Sequence, residues 1–194
     1  MIELLLALGA GLGLAAACGF RVFVPLLIAA VAARSGHLPL AGGFTWLSST
    51  PALVALGCAT VLELAAYTIP WVDHALDTIA TPAAVIAGIL ASAAVMVDLP
   101  PSLRWAVSII GGGATAGLVQ GASVLLRLKS SAFTGGLANP LVALFEAIGG
   151  VGVALLAVLL PLVALIAVIA LLVVVFRSAG RVVFGRPAVP PLSS

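Results

Sequence analysis

Charge is what this 194-residue chain has least of. It carries eight Lys and Arg and six Asp and Glu, 7% of its residues, where a soluble domain carries about 25%. So few charges cannot cover a soluble surface of this size. Most of the chain must therefore face lipid or other membrane helices. The net charge of +2 is too small for an electrostatic nucleic-acid binder. Cysteine is scarce as well: Cys18 and Cys58 sit inside apolar runs, which leaves no disulfide framework and no metal spacing. His37 and His74 are the only histidines, both in polar connecting stretches. No hydrolytic triad, thiol–base pair or zinc motif can be assembled. No catalytic residues, no metal and no cofactor are expected.

What is present is apolar: 63% of residues, with a mean hydropathy of +1.36. The expected class is an all-α polytopic membrane bundle of about six spans, with residues 1–187 as one transmembrane domain and 188–194 as a short polar tail. The N-terminal run has Glu3 and no Lys or Arg ahead of its apolar stretch. Ala15-Ala16-Ala17-Cys18 resembles a lipoprotein cleavage site, but Ala15 stands where leucine is usual. The segment reads as a retained first span.

The run over 4–33 makes about 45 Å of helix, more than a ~30 Å hydrocarbon core. Gly19, Arg21 and Pro25 interrupt it, so it is expected to be tilted, kinked or broken. A polar loop follows to Thr50. Thr50 and Pro51 then open a second span that Pro70 ends. Residues 71–81 are short and amphipathic, and Thr81-Pro82 opens a third span reaching 97. A fourth covers 103–126. Residues 127–140 form the most polar stretch. The run 141–176 is apolar apart from Glu146 and too long for one span; it either turns near Pro161 or breaks at Gly149-Gly150. With six spans both termini share a side. Arg127, Lys129, Arg177, Arg181 and Arg186 then outnumber Arg34 and Arg104, which places both termini in the cytoplasm.

The two halves echo each other. Pro51 matches Pro140, Gly42-Gly43 matches Gly135-Gly136, and Pro70 matches Pro161 more loosely. Three spans per unit, over about 4–97 and 103–177, would make the second unit insert upside down, an inverted 3+3 repeat. In such folds, interrupted segments at matching positions meet near the midplane and form the solute path. Here those are residues 69–82 and 133–146, with Pro25, Pro70, Pro82 and Pro140 as helix breaks.

Arg21, Glu63 and Glu146 are ionisable residues in or near apolar spans. A charge at the bilayer centre costs about 2.5–3.5 kcal/mol on insertion scales, so such groups face the bundle interior. Glu63 paired with Arg21 makes a structural ion pair on one reading and part of a solute, proton or cation site on the other. Asp73 and Asp77, four apart on one helix face with His74 beside them, read better as a solvated, helix-capping segment than as a cation site. Lys129, Ser130, Ser131, Thr134 and Asn139 form either an interfacial loop or a re-entrant loop lining a cavity, where free amides and Lys129 favour an anion or polar solute. Gly113, Gly117 and Gly121 have small-xxx-small spacing, for helix packing inside the chain or in a homo-oligomer. No Lys-Ser or Lys-Thr follows them, so they are no nucleotide loop.

Three motifs together resemble a known family: Gly19-Phe20-Arg21-Val22-Phe23-Val24-Pro25; Glu63 with Ile69-Pro70-Trp71-Val72-Asp73 and Asp77; and Ser130-Ser131, Thr134-Gly135-Gly136, Asn139-Pro140 with Glu146. They resemble, in order and over about residues 10–160, a bacterial integral-membrane family catalogued as domain of unknown function 4126. That resemblance implies residence in the bacterial inner membrane and emphasises the polar, interrupted segments. It supplies no activity. The family usually has Ala-Asp-Lys where this chain has Ala66-Tyr67-Thr68, so a role needing that acid–base pair is not carried over. Ala143 stands where the family often has serine.

Two leading functional classes follow, with a third behind them. One is a small transporter or channel for an ion or small polar solute. The other is a non-transporting accessory or assembly component. A membrane-embedded enzyme acting on lipid is a third.

Overall fold

The computed structural model describes residues 2–66 and 70–183, with side chains for all of these except 70–78 and 178–183. Among the described residues the regular structure is helical: α1 (Ile2–Phe20), α2 (Phe23–Arg34), α3 (Thr50–Ala66), α4 (Pro70–Val95), α5 (Pro101–Val107), α6 (Gly113–Thr134), α7 (Asn139–Leu159) and α8 (Pro161–Val183). A 3-10 segment, Gly42–Ser48, precedes α3. A π segment, Ser108–Gly112, joins α5 to α6, so Pro101–Thr134 is one interrupted 34-residue helix.

Helix α1 is the axis of the bundle, and small residues make that possible. From Ala7 to Gly19 its buried positions are Ala and Gly, with Leu14 and Cys18 the larger ones. A Cβ on Gly13 would stand 2.7 Å from Ala157 Cβ, and one on Gly19 would stand 2.6 Å from the Ala116 carbonyl oxygen. Neighbouring helices therefore approach the α1 backbone almost directly. Of the three glycines expected to pack, Gly113 and Gly117 lie against Ile89 and Val85 of α4, whereas Gly121 faces open space.

These close contacts also give the helix directions. Along α1, Gly11 meets Ser92 and Met96 while Ala15 lies by Gly88, so α4 runs antiparallel to it. Leu12 meets Gly111 and Gly19 meets Val119, so α6 runs parallel. Gly13 meets Ala157 and Ala17 lies by Gly150, so α7 is antiparallel. Gly9 meets Pro161 and Gly13 meets Ala164, so α8 is parallel.

The break at Arg21-Val22 is a reversal. Residues Leu27, Ile28 and Val31 of α2 share a cavity wall with Leu155, Val158 and Leu159 of α7. The chain just beyond α2 hydrogen-bonds from the Ala41 amide to Ala94 O at 2.8 Å, at the level of Gly11. Thus α2 returns along α1 from an apex at Arg21, and α3 rises again beside α2. Arg34 Nη1 donates to Thr50 Oγ1 at 2.9 Å at one end of that pair, and Glu63 meets Val22 and Phe23 at the other.

Several expectations change. Pro25 lies in the first turn of α2 and the break precedes it. Pro82 is inside α4, which runs from Pro70 without a new start. Residues 127–134 continue α6, so the polar stretch is two helical turns closed by a short turn with Gly135 and Gly136 at φ 62° and 90°. It is not a re-entrant loop. Pro70, Pro140 and Pro161 do open helices, as Pro fits the first turn. The run 141–176 turns at Leu160-Pro161, and α7 passes through Gly149-Gly150. Because α8 parallels α1, the Ile2 and Val183 ends lie at opposite ends of the bundle, not at the same one.

The surface is apolar and the interior holds charge. Phe133, Leu137, Ile110 and Phe145 are largely exposed, while Arg21, Arg127 and Glu146 are buried. That inversion suits a bilayer. Three described helices are long and apolar enough to cross one: Ile2–Phe20, Pro101–Thr134 and Asn139–Leu159. Gly42–Ser48 with Thr50–Ala66, bent by 66°, would make a fourth. Phe23–Arg34, Ile79–Val95 and Pro161–Arg177 are apolar but shorter.

Candidate functional site

The polar interior gathers around the α1–α2 apex. The α1 ladder ends with the Arg21 amide on Ala17 O at 3.1 Å. A new helix then starts, and its first amides have no carbonyl one turn back. Glu63 of α3 supplies the missing acceptors: Val22 N–H donates to Oε1 at 2.7 Å and Phe23 N–H to Oε2 at 3.0 Å. A carboxylate there also meets the positive end of the α2 dipole.

Arg21 is 2% exposed. Its Nη2 donates to the Ala143 carbonyl oxygen at 2.7 Å and stands 3.7 Å from Glu146 Oε2. The expected Arg21–Glu63 ion pair is thus replaced: Glu146 is the carboxylate beside the guanidinium, and Glu63 takes the adjoining backbone amides. Since Ala143 acts through its main chain, the serine the family often has there is not needed for this contact.

The third charge is Arg127 of α6. Its Nε donates to both Glu146 oxygens at 3.1 Å, and its Nη2 bonds Oε2. Two guanidinium groups therefore flank one buried carboxylate. Above it, Asn139 Nδ2 donates to Ser131 Oγ at 2.9 Å and Ser131 Oγ lies 3.3 Å from Asn139 Oδ1, tying the end of α6 to the start of α7.

The structure thus unites Arg21, Glu63 and Glu146, with Ser131 and Asn139 on the turns beside them. Lys129 is exposed and turns away from the cluster, and Ser130 shares its helix turn without joining the Ser131–Asn139 pair. Asp73 and Asp77 lie on the first turns of α4; their side chains fall outside the described residues, as does His74. Among the residues with described side chains no group of three or more His, Cys, Asp and Glu could hold a metal. Arg127 was the omission. Its signal was present: Gln120, Ser123 and Arg127 recur at helical spacing and make a polar stripe, buried in the fold, on the inner face of α6.

A helical protein with an apolar exterior, a central helix broken inside the bundle and a buried charge cluster at the break is a membrane-embedded protein organised around a polar interior. The sequence profile of the family described as Domain of unknown function (DUF4126) matches residues 8–181, and the chain belongs to that family. No curated protein and no solved structure matches the chain.

Proposed function

We propose that the protein is a small membrane transporter or channel whose solute path passes the α1–α2 apex. The observation that carries this reading is the interrupted helix. Helix α1 stops at Phe20 inside the bundle, and buried charged groups gather at that break. Broken backbone within a membrane bundle is tolerated where it lines a cavity or is buried in protein, and helix starts of this kind hold solutes in transporters.

Helix directions support an inverted repeat built on α2–α3–α4 and α6–α7–α8. Relative to α1, the first three run down, up and down, and the second three up, down and up. In each triplet the first helix ends at a left-handed glycine, Gly36 or Gly135, and Pro51 or Pro140 stands at the second position of the next helix. Lys129 and Arg177 lie toward the Val183 end, with Arg181 and Arg186 close by in sequence, against Arg34 and Arg104 at the other. The positive-inside rule then turns the Val183 end to the cytoplasm of a bacterial inner membrane.

The test is flux in proteoliposomes on solid-supported membranes, wild type against Glu63→Gln. A current abolished by the substitution at equal incorporation is expected. An equal current in both would remove Glu63 from the path.

A second reading, a non-transporting accessory component, draws on the close packing of α1 at Gly9, Gly13 and Gly19, which leaves little room to move. Absence of flux across a broad panel of ions and solutes, with a stable membrane partner on affinity isolation, would favour it.

A further inference from the structure

We propose that the cleft between α2 and α7, at the Ile2 end of the bundle, binds a phospholipid whose ammonium headgroup carries N–H donors. The acyl chain lies in the cleft and the headgroup meets His37. The site lies away from the α1–α2 apex and does not rest on the transport reading.

The cleft holds about 400 Å³, inside the range of about 300–1,000 Å³ usual for small-molecule sites. Leu27, Ile28 and Val31 form one wall, and Leu155, Val158 and Leu159 form the other. Val31, Leu155 and Leu159 are exposed, so the cleft opens sideways on the surface that faces lipid. Lipid tails are as apolar as leucine and match such walls. Polar side chains occur at one end only. Ser35 and His37 line the cleft just beyond α2, at the end of the bundle where α1 begins and α7 stops. An apolar trough with a polar lip at the membrane face has the polarity of a lipid in that leaflet, headgroup outward and chain inward.

Hydrogen bonding at the lip selects the headgroup. Gly36, at φ 79°, turns the chain so that Ser35 and His37 meet. Ser35 Oγ donates to Ala32 O at 3.0 Å and lies 2.9 Å from His37 Nδ1. A hydroxyl has one hydrogen, and here the Ala32 carbonyl takes it, so Nδ1 is the donor in the contact with Ser35. Nε2 of the neutral ring is then an acceptor, and it calls for a donor on the ligand. An ethanolamine ammonium brings N–H donors, as a lysine ammonium does, whereas a choline headgroup has none. The two headgroups carry the same net charge, so hydrogen bonding alone separates them.

The experiment is native mass spectrometry of the purified protein in detergent. It is titrated with phosphatidylethanolamine, the N,N-dimethyl form of that lipid, and phosphatidylcholine, all with identical chains. Wild type should retain the ethanolamine lipid about five-fold over the choline lipid, the worth of one hydrogen bond. The dimethyl form adds bulk but keeps an N–H, so it should follow the ethanolamine lipid. His37→Phe keeps a ring at an exposed turn position and should erase the preference while all three lipids still bind. Val158→Trp, which fills the cleft, should lose all three. Equal retention of the ethanolamine and choline lipids by wild type would overturn the assignment. So would a preference that survives His37→Phe, or unchanged binding in Val158→Trp. Should Val158→Trp not fold, Leu159→Trp, on the exposed rim, is judged by the same criterion. Flux enters none of these outcomes. A protein that prefers the ethanolamine lipid without flux keeps the lipid site and sinks transport, and flux without the preference does the reverse.

Discussion

Arg127 and Glu146, nineteen residues apart on α6 and α7, meet side-on in the core, with Arg127 Nε donating 3.1 Å bonds to both carboxylate oxygens. Arg21 reaches the same carboxylate from the helix break, 3.7 Å away. Glu146 is therefore shared, and its neutralisation leaves two buried guanidinium groups facing each other. Removing one partner of a buried pair costs about 3–5 kcal/mol. We expect Glu146→Gln to destabilise more than Arg127→Met, because Arg21 still compensates Glu146 in the second case. Denaturant unfolding in mild detergent measures both. Equal losses would mean that Arg21 contributes nothing to holding the charge.

The glycines of α1 separate from those that merely share its composition. A Cβ at Gly19 would sit 2.6 Å from the Ala116 carbonyl oxygen and from Val119 Cβ, atoms that cannot swing aside. Overpacking of this kind costs about 1–3 kcal/mol. At Gly121 nothing lies within 4 Å, so Ala there gains helix propensity, up to about 1 kcal/mol. Gly19→Ala should lower the unfolding temperature and Gly121→Ala should hold or raise it. The reverse order would show that α1 is not the packing axis.

Residues 127–140 and 4–33 show what was legible in the sequence and what was not. Composition placed the chain in a membrane, and Pro51 marked a helix start through a rule that acts within one turn, whereas Pro161 and Gly149-Gly150 stood as open alternatives for the later turn. The interruption at Gly19, Arg21 and Pro25 was visible for the same local reason. Its sense was not. A reversal inside an apolar run needs no polar loop when its amides are capped by Glu63, forty-one positions away, and no local pattern encodes that distance. Read locally, Arg127 stands at the edge of a loop because polar residues cluster after it. Counted instead with Ser123 and Gln120 by helical period, it falls on the buried face. The Arg21–Glu63 pairing failed because two carboxylates competed for the break, and the second, Glu146, comes from the other half of the chain.

Ser131 and Asn139 close the turn between α6 and α7 with reciprocal side-chain bonds of 2.9 and 3.3 Å. Asn139 is buried, so its loss leaves polar atoms of the turn unpaired. Asn139→Ala should destabilise by about 1–2 kcal/mol, and it should do so less in a Ser131→Ala background, where that pair is already absent. Strict additivity in a double-mutant cycle would mean that the two residues act separately.

The reversal at Arg21 fixes which surface positions share a face of the membrane, and this is open to direct chemical test. With α2 returning along α1, Ser35 and Asp98 lie at the Ile2 end of the bundle, while Lys129 and Leu137 lie at the far end; all four are exposed. If α1 and α2 instead continued as one span, Ser35 would move to the opposite face from the start of α1. Single cysteines at these positions, in a background with Cys18→Ala and Cys58→Ser, can be labelled with an impermeant maleimide in sealed vesicles of known orientation. Ser35→Cys and Asp98→Cys should react from one side, and Lys129→Cys and Leu137→Cys from the other. By the positive-inside rule the second pair should label from the cytoplasmic side. Labelling of Ser35→Cys and Lys129→Cys from the same side would break the hairpin. It would also remove the helix start inside the bundle on which the solute path depends.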